Sequence, residues 1–194
     1  LEARYTLTQE EVDATKALLA NMLEMSKSAE NIDAIDVMFD EFETSFYHIA
    51  QQSTIATIIY YCDMIDEVAS ERYLNSREML YDLQDAYNQT LRTIYLESPA
   101  RDQLFEGWSE EEIQSLLEYD PAILELEQEI NALEVEYDQL DENSPTYNND
   151  CVEIYKQMIV KRNQLAKLNK YDNYYDYAAA NVYDRDYERE QLAT

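Results

Sequence analysis

The chain has 194 residues, enough to bury a sizeable core, and 46% of them are apolar, but it holds only one glycine and three prolines. Sheets need tight turns and tight turns lean on glycine, so a supply this small predicts long helices and an all-α fold. The formal charge of −28, from 42 acidic and 14 basic residues, argues against a nucleic-acid partner, whose phosphates demand a basic surface, and against an anionic membrane surface.

Thr8-Gln9-Glu10-Glu11 reads as a capping box, in which a hydroxyl and a carboxylate satisfy orphan amides at a helix start. The helix is expected to run to about Ala29, with Val12, Leu19, Met22 and Leu23 on its apolar side. A second start at Asn31 leads into Ile32, Ile35, Phe39, Phe42, Phe46 and Ile49, a seam at alternating three- and four-residue spacing. After the polar stretch 51–54, helical spacing resumes through Ile55, Ile58, Ile59, Cys62 and Ile65. The pattern fits either a loop at 51–54 or one helix that rotates its buried face. Leu80, Leu83, Tyr87, Leu91 and Ile94 carry a further helix that Ser98-Pro99 ends. The single glycine, Gly107, stands beside the single tryptophan, Trp108, and Ser109-Glu110-Glu111-Glu112 is a second capping box opening a short helix through Leu116 and Leu117. Asp120-Pro121 is a strong new start, and Ile123, Leu126, Ile130, Leu133, Tyr137 and Leu140 follow as a second regular seam. Asn143-Ser144-Pro145 breaks it, and Val152, Tyr155, Ile159, Leu165 and Leu168 mark a partner helix.

The architecture expected is therefore a bundle of long antiparallel helices. It includes a hairpin of about 121–141 and 149–169 and a short tyrosine-rich C-terminal helix capped by Asp172. No fixed-period repeat is present, so a solenoid is not expected. The boundary expected lies at 98–108, giving N-terminal helices 1–98 and a second region 109–194, or else one continuous helical domain over 1–194.

Several chemistries are excluded. His48 is the only histidine, whereas a thermolysin-type zinc site needs two imidazoles one turn apart and a ferritin-like site two Glu-x-x-His pairs. His48 lies inside a helical seam and reads as a histidine at the edge of the core. One glycine cannot build a phosphate-cradling loop. Asp33, Asp36, Asp40 and Glu41 are spread along a helix, so they read as solvent-facing carboxylates rather than a calcium loop. Cys62 and Cys151 have no metal-knuckle spacing and read as buried free thiols. No apolar run approaches the length of a membrane span, about 20 residues. No catalytic or metal-binding residue is assigned.

The charge is uneven: residues 156–194 hold seven basic and six acidic groups, while almost all of the negative charge lies before them. The near-neutral end is the part expected to meet another surface. It also carries six tyrosines between 171 and 187, in Lys170-Tyr171-Asp172-Asn173-Tyr174-Tyr175-Asp176-Tyr177 and on through Tyr183-Asp184-Arg185-Asp186-Tyr187. On a helix, positions 171, 174, 175 and 178 form one stripe and Tyr177 points elsewhere. Some rings are thus expected to anchor the last helix and others to face a partner or a cavity. Tyrosine, with an apolar body and a polar tip, suits both.

The segments Glu125-Leu126-Glu127-Gln128-Glu129 through Tyr137-Asp138-Gln139-Leu140, and Lys161-Arg162-Asn163-Gln164-Leu165-Ala166-Lys167-Leu168 followed by Tyr171-Asp172-Asn173-Tyr174 and Arg185-Asp186-Tyr187, carry a resemblance. Together they look like the N-terminal helical region of the oligoendopeptidase F and thimet oligopeptidase family of zinc metallopeptidases. There an Arg…Leu-Ala…Gly-Tyr-x-Asn-Tyr…Tyr…Arg-Asp-Tyr segment joins the helices to the catalytic region. The match covers about 121–190, with only the helical layout agreeing upstream, and it departs at Asn169-Lys170, where the family carries a glycine before the tyrosine. The resemblance implies an amino-terminal domain or fragment that forms one wall of a channel admitting short peptides. The zinc and its His-Glu-x-x-His motif would lie in a catalytic domain absent from this chain, the domain's main partner. The resemblance makes Tyr171, Tyr174, Tyr175, Tyr177, Arg185, Asp186 and Tyr187 the candidate junction or channel-facing residues. The alternative reading is a free-standing acidic helical bundle that binds or scaffolds a partner.

Overall fold

The structure, a computed structural model, describes residues 2–183 and 185. Among these residues eight α-helices and two short 3-10 turns occur and no strand. The helices are α1 (Gln9–Met25), α2 (Ile32–Cys62), α3 (Glu67–Glu97), α4 (Arg101–Leu104), α5 (Glu110–Leu117), α6 (Ala122–Asp138), α7 (Tyr147–Leu168) and α8 (Tyr174–Asn181). The all-α class expected from the lack of turn formers is observed. No helix of the described residues is long and apolar enough to cross a membrane.

The chain divides into two compact units, 1–119 and 120–194. The segment 98–108, expected as the boundary, lies inside the first unit because α4 and α5 pack back onto α3. In that unit α1, α2 and α3 pack mutually. Both capping boxes form: the Thr8 and Ser109 hydroxyls accept from the amides of Glu11 and Glu112, whose carboxylates accept from the Thr8 and Ser109 amides. The core joins Val12, Leu19 and Met22 of α1 to Phe42 and Ile49 of α2 and to Leu83, Leu91 and Ile94 of α3.

Helix α2 is continuous over 31 residues, about 46 Å at 1.5 Å per residue. The 51–54 stretch is therefore helix. Its buried face does not rotate: Ile35, Phe42, Ile49 and Ala56 recur every seven residues, with Ser53 and Tyr60 completing the stripe. Ile58, Cys62 and Ile65, expected on the apolar side, are exposed instead. Cys62, the last residue of α2, is thus a free thiol at the surface and not buried, and Cys151 is half-buried. Helix α3 starts well before its leucine-rich half, at Asp66, whose carboxylate accepts from the amides of Val68 and Ala69. The N-terminal half of α3 faces α2 with small residues and an aromatic pair. Ser53 and Ser76 approach to 3.4 Å, and Tyr60 stacks on Tyr73 at 4.7 Å. Asp33, Asp36, Asp40 and Glu41 face solvent.

In the second unit α6 packs on α7 and α7 on α8. The observed helices begin and end within about three residues of the expected hairpin. Helix α6 starts one residue later than Asp-Pro suggested, with Pro121 at its N-cap, and the Asp120 carboxylate accepts from the Ala122 amide at 3.0 Å. The face that α7 buries differs from expectation. Ile154, Met158, Leu165 and Ala166 are inside, while Val152, Tyr155 and Ile159 are 51%, 53% and 44% exposed. Leu165 is buried as expected and Leu168 is exposed; both sets have helical spacing, so periodicity alone does not choose between them.

Candidate functional site

The tyrosine-bearing end is built on the last turns of α7. The Tyr171 amide donates to the Ala166 carbonyl at 2.9 Å and the Lys170 amide to the Lys167 carbonyl at 3.0 Å. This is the double hydrogen bond of a Schellman motif, and it demands a left-handed residue between helix and tyrosine. Lys170 takes that role at φ 66, the only non-glycine residue with positive φ among the described residues. A side chain with a Cβ is disfavoured there by about 1–2 kcal/mol, which is why glycine is the usual occupant.

The chain then turns into α8. Its cap is Asn173, not the expected Asp172: the Asn173 Oδ1 accepts from the Asp176 amide at 3.1 Å, and Asn173 Nδ2 donates to the Asp176 carboxylate at 2.6 Å. Asp172 is exposed. The Tyr174 amide donates to Asn163 Oδ1 on α7 at 3.0 Å, which ties the first turn of α8 to α7.

The rings do not follow the expected stripe. Because α8 begins at Tyr174, Tyr171 sits in the turn before the helix. Tyr177, expected to point elsewhere, is the hub, with its ring centroid 5.6 Å from Tyr171 in an edge-to-face arrangement and 5.8 Å from Tyr174. Tyr171, Tyr174 and Tyr177 are half-buried, whereas Tyr175 is 45% exposed. The guanidinium of Arg162 lies 5.5 Å from the Tyr174 ring centroid, and its Nη2 donates to Glu134 Oε1 at 2.6 Å. This ion pair joins α6 to α7, as Lys161 and Glu129 do at 2.7 Å, and it presents a cation to the tyrosines. Burial pushes the Tyr174 hydroxyl above its ordinary 10.0; Arg162 opposes that rise, while Glu134, Tyr183 and Glu127 add to it. The phenol therefore stays protonated at neutral pH, as a hydrogen-bonding tip and not an anion.

Arg185 follows outside α8, with its amide donating to the Ala179 carbonyl at 2.8 Å and its guanidinium 5.0 Å from the Tyr183 ring. Asp186 and Tyr187 lie outside the described residues. Of the candidates, the structure brings Tyr171, Tyr174 and Tyr177 into one cluster, with Tyr175 exposed beside Tyr174 in sequence. Arg162, Glu134 and Asn163, which hold that cluster, were not among the expected site residues. The signal for them was chemical complementarity: one acidic and one basic residue at matching depth of a predicted hairpin.

His48 is exposed on α2, with Nε2 3.7 Å from Glu11 Oε1, and serves as a surface partner of a capping glutamate. Among the described residues no group of three or more His, Cys, Asp or Glu side chains could hold a metal ion. The site offers aromatic faces, phenol tips and one partly buried cation, which can position a ligand. Comparison of the sequence with family models and curated proteins, and of the structure with solved structures, gives no match. The fold and site together define an all-α protein with a tyrosine-lined helix end.

Proposed function

We propose that this chain is the N-terminal helical region of a zinc metallopeptidase related to oligoendopeptidase F and thimet oligopeptidase, one wall of a channel that admits short peptides. The observation that carries the reading is the backbone at Lys170. The family segment places a glycine before Tyr-x-Asn-Tyr; here that position takes the left-handed conformation glycine serves, with lysine in its place. The lysine thus stands in a backbone conformation that glycine serves well. Asn173 as helix cap and Tyr174 beside Arg162 give the later residues of the segment concrete structural work.

In this reading Tyr171, Tyr174 and Tyr177 fix α8 to the hairpin. Tyr175 and Arg185, both exposed, meet the catalytic domain or the peptide. Zinc in the catalytic domain would activate a water for peptide hydrolysis. Among the described residues of this chain no group of side chains could hold the metal. The domain's own contribution is to position peptides and restrict access.

The test is the product of the longer reading frame. It is expected to encode His-Glu-x-x-His beyond Thr194, to cleave a short quenched fluorescent peptide, and to lose that activity with a zinc chelator. A stop codon soon after Thr194, or a longer product that shows no chelator-sensitive cleavage, defeats the reading.

A further inference from the structure

The tyrosine-lined end does not account for the cavity between α3 and α5 in the first unit. Its volume is about 620 Å³, within the roughly 300–1,000 Å³ of ligand pockets. Three aromatic residues, Tyr87, Trp108 and Tyr119, line it together with Glu111, Glu112 and Asn88. No basic side chain is among its lining residues.

Each aromatic is held from behind. Tyr87 stacks on Phe42 at 4.8 Å, nearly parallel, so one ring face belongs to the core. Trp108 meets Phe105 edge-on at 5.0 Å and remains 38% exposed. The Tyr119 hydroxyl donates to Asp85 Oδ1 at 2.8 Å, which places a further carboxylate at the edge of the site. The Ser109 capping box holds Glu112, and its two hydrogen bonds from Ser109 keep that carboxyl below its ordinary range. The start of α5 would by itself favour an anion. Here the first turn carries Glu110, Glu111 and Glu112, and the Glu112 amide is already taken by the Ser109 hydroxyl.

We propose that this cavity binds the cationic side chain of a peptide, arginine or lysine, with its charge against Glu111 and Glu112 and its stem against Trp108 and Tyr87. Aromatic faces attract a cation through the ring quadrupole, and the carboxylates add an opposite charge at the rim. The apolar stem of either residue covers ring surface while its head stays near water. The inference is independent of the peptidase reading and holds or fails on residues 85–119.

Trp108 is the only tryptophan in the chain, so its fluorescence reports on this site alone. The 194-residue protein is titrated with the blocked tripeptides Ala-Arg-Ala and Ala-Lys-Ala and with the neutral analogue that carries citrulline for arginine. A saturable change is expected with at least one cationic peptide in the millimolar range, with citrulline at least about tenfold weaker. Glu111→Gln, an exposed helix-surface change, is expected to weaken the cationic peptide about threefold. Circular dichroism checks that the variant is folded. The proposal is overturned by no saturable change for either cationic peptide up to about 20 mM, by citrulline binding equally well, or by Glu111→Gln binding like the parent.

Discussion

The two long helix pairs, α2–α3 in the first unit and α6–α7 in the second, show how differently one kind of apolar pattern can be used. In α2–α3 the seam that begins at Ile35 runs inward for its whole length, and α1 packs on both helices of the pair. In α6–α7 the helix α7 carries two apolar stripes, and the one through Val152, Tyr155 and Ile159 is left largely exposed. The difference teaches that helical periodicity establishes the helix, whereas the neighbours decide which stripe is buried. A three-helix unit leaves little choice. A hairpin with a short third helix leaves one face of α7 uncovered within the unit.

The largest effect expected is at the centre of the first pair. Phe42 is 2% exposed and stacks on both Tyr87 and Phe46. Phe42→Ala is expected to destabilise the first unit by about 3–5 kcal/mol, read from urea unfolding followed by Trp108 fluorescence. Met158, 4% exposed in α7, is the matching position in the second pair. Met158→Ala is expected to cost about 2–5 kcal/mol, read from hydrogen exchange of the α6–α7 amides. A loss under about 1 kcal/mol at either site contradicts the burial assigned to it.

These two pairs also mark what could be read from the sequence. Regular apolar spacing and two capping boxes located α1, α5, α6 and the first half of α2. The second half of α2 and the first half of α3 were obscure because Ser53, Ala56, Ala69, Ser70 and Ser76 do the packing. Small residues let two helices approach closely but leave no apolar signature for a period count. The isoleucines nearby, Ile58 and Ile65, suggested a face that is in fact exposed. For the candidate site, the tyrosine density was legible and its geometry was not. Tyr177 joins Tyr171 only because α8 starts three residues after Tyr171, and that start depends on Asn173, not Asp172, as the cap.

A smaller and opposite effect is expected at the end of α7. Lys170 holds φ 66 inside a Schellman motif, so its Cβ strains the backbone that a glycine would adopt freely. Lys170→Gly is expected to stabilise the second unit by about 1 kcal/mol, measured as a shift in urea midpoint at unchanged slope. The unfolded chain also gains freedom from glycine, which keeps the gain near the lower end of that strain. Destabilisation by a similar amount contradicts the left-handed assignment. It would also remove the observation on which the peptidase reading rests.

The smallest effect sharpens the comparison most, because it falls one residue from one of the largest. Ile159 follows Met158 directly, yet a helix turns about 100° per residue, and that rotation carries the side chain out of the α6 interface. Truncating Ile159 removes the same kind of apolar volume as truncating Met158. With Ile159 already 44% exposed, far less area is exposed on unfolding and no closed cavity is left behind. Alanine also has the better helix propensity, which offsets part of the loss. Ile159→Ala is therefore expected to stay within about 0.5 kcal/mol of the parent by the same hydrogen-exchange measurement. A loss approaching that of Met158→Ala would mean that the Val152–Tyr155–Ile159 stripe is covered in solution, and the contrast between the two helix pairs would disappear.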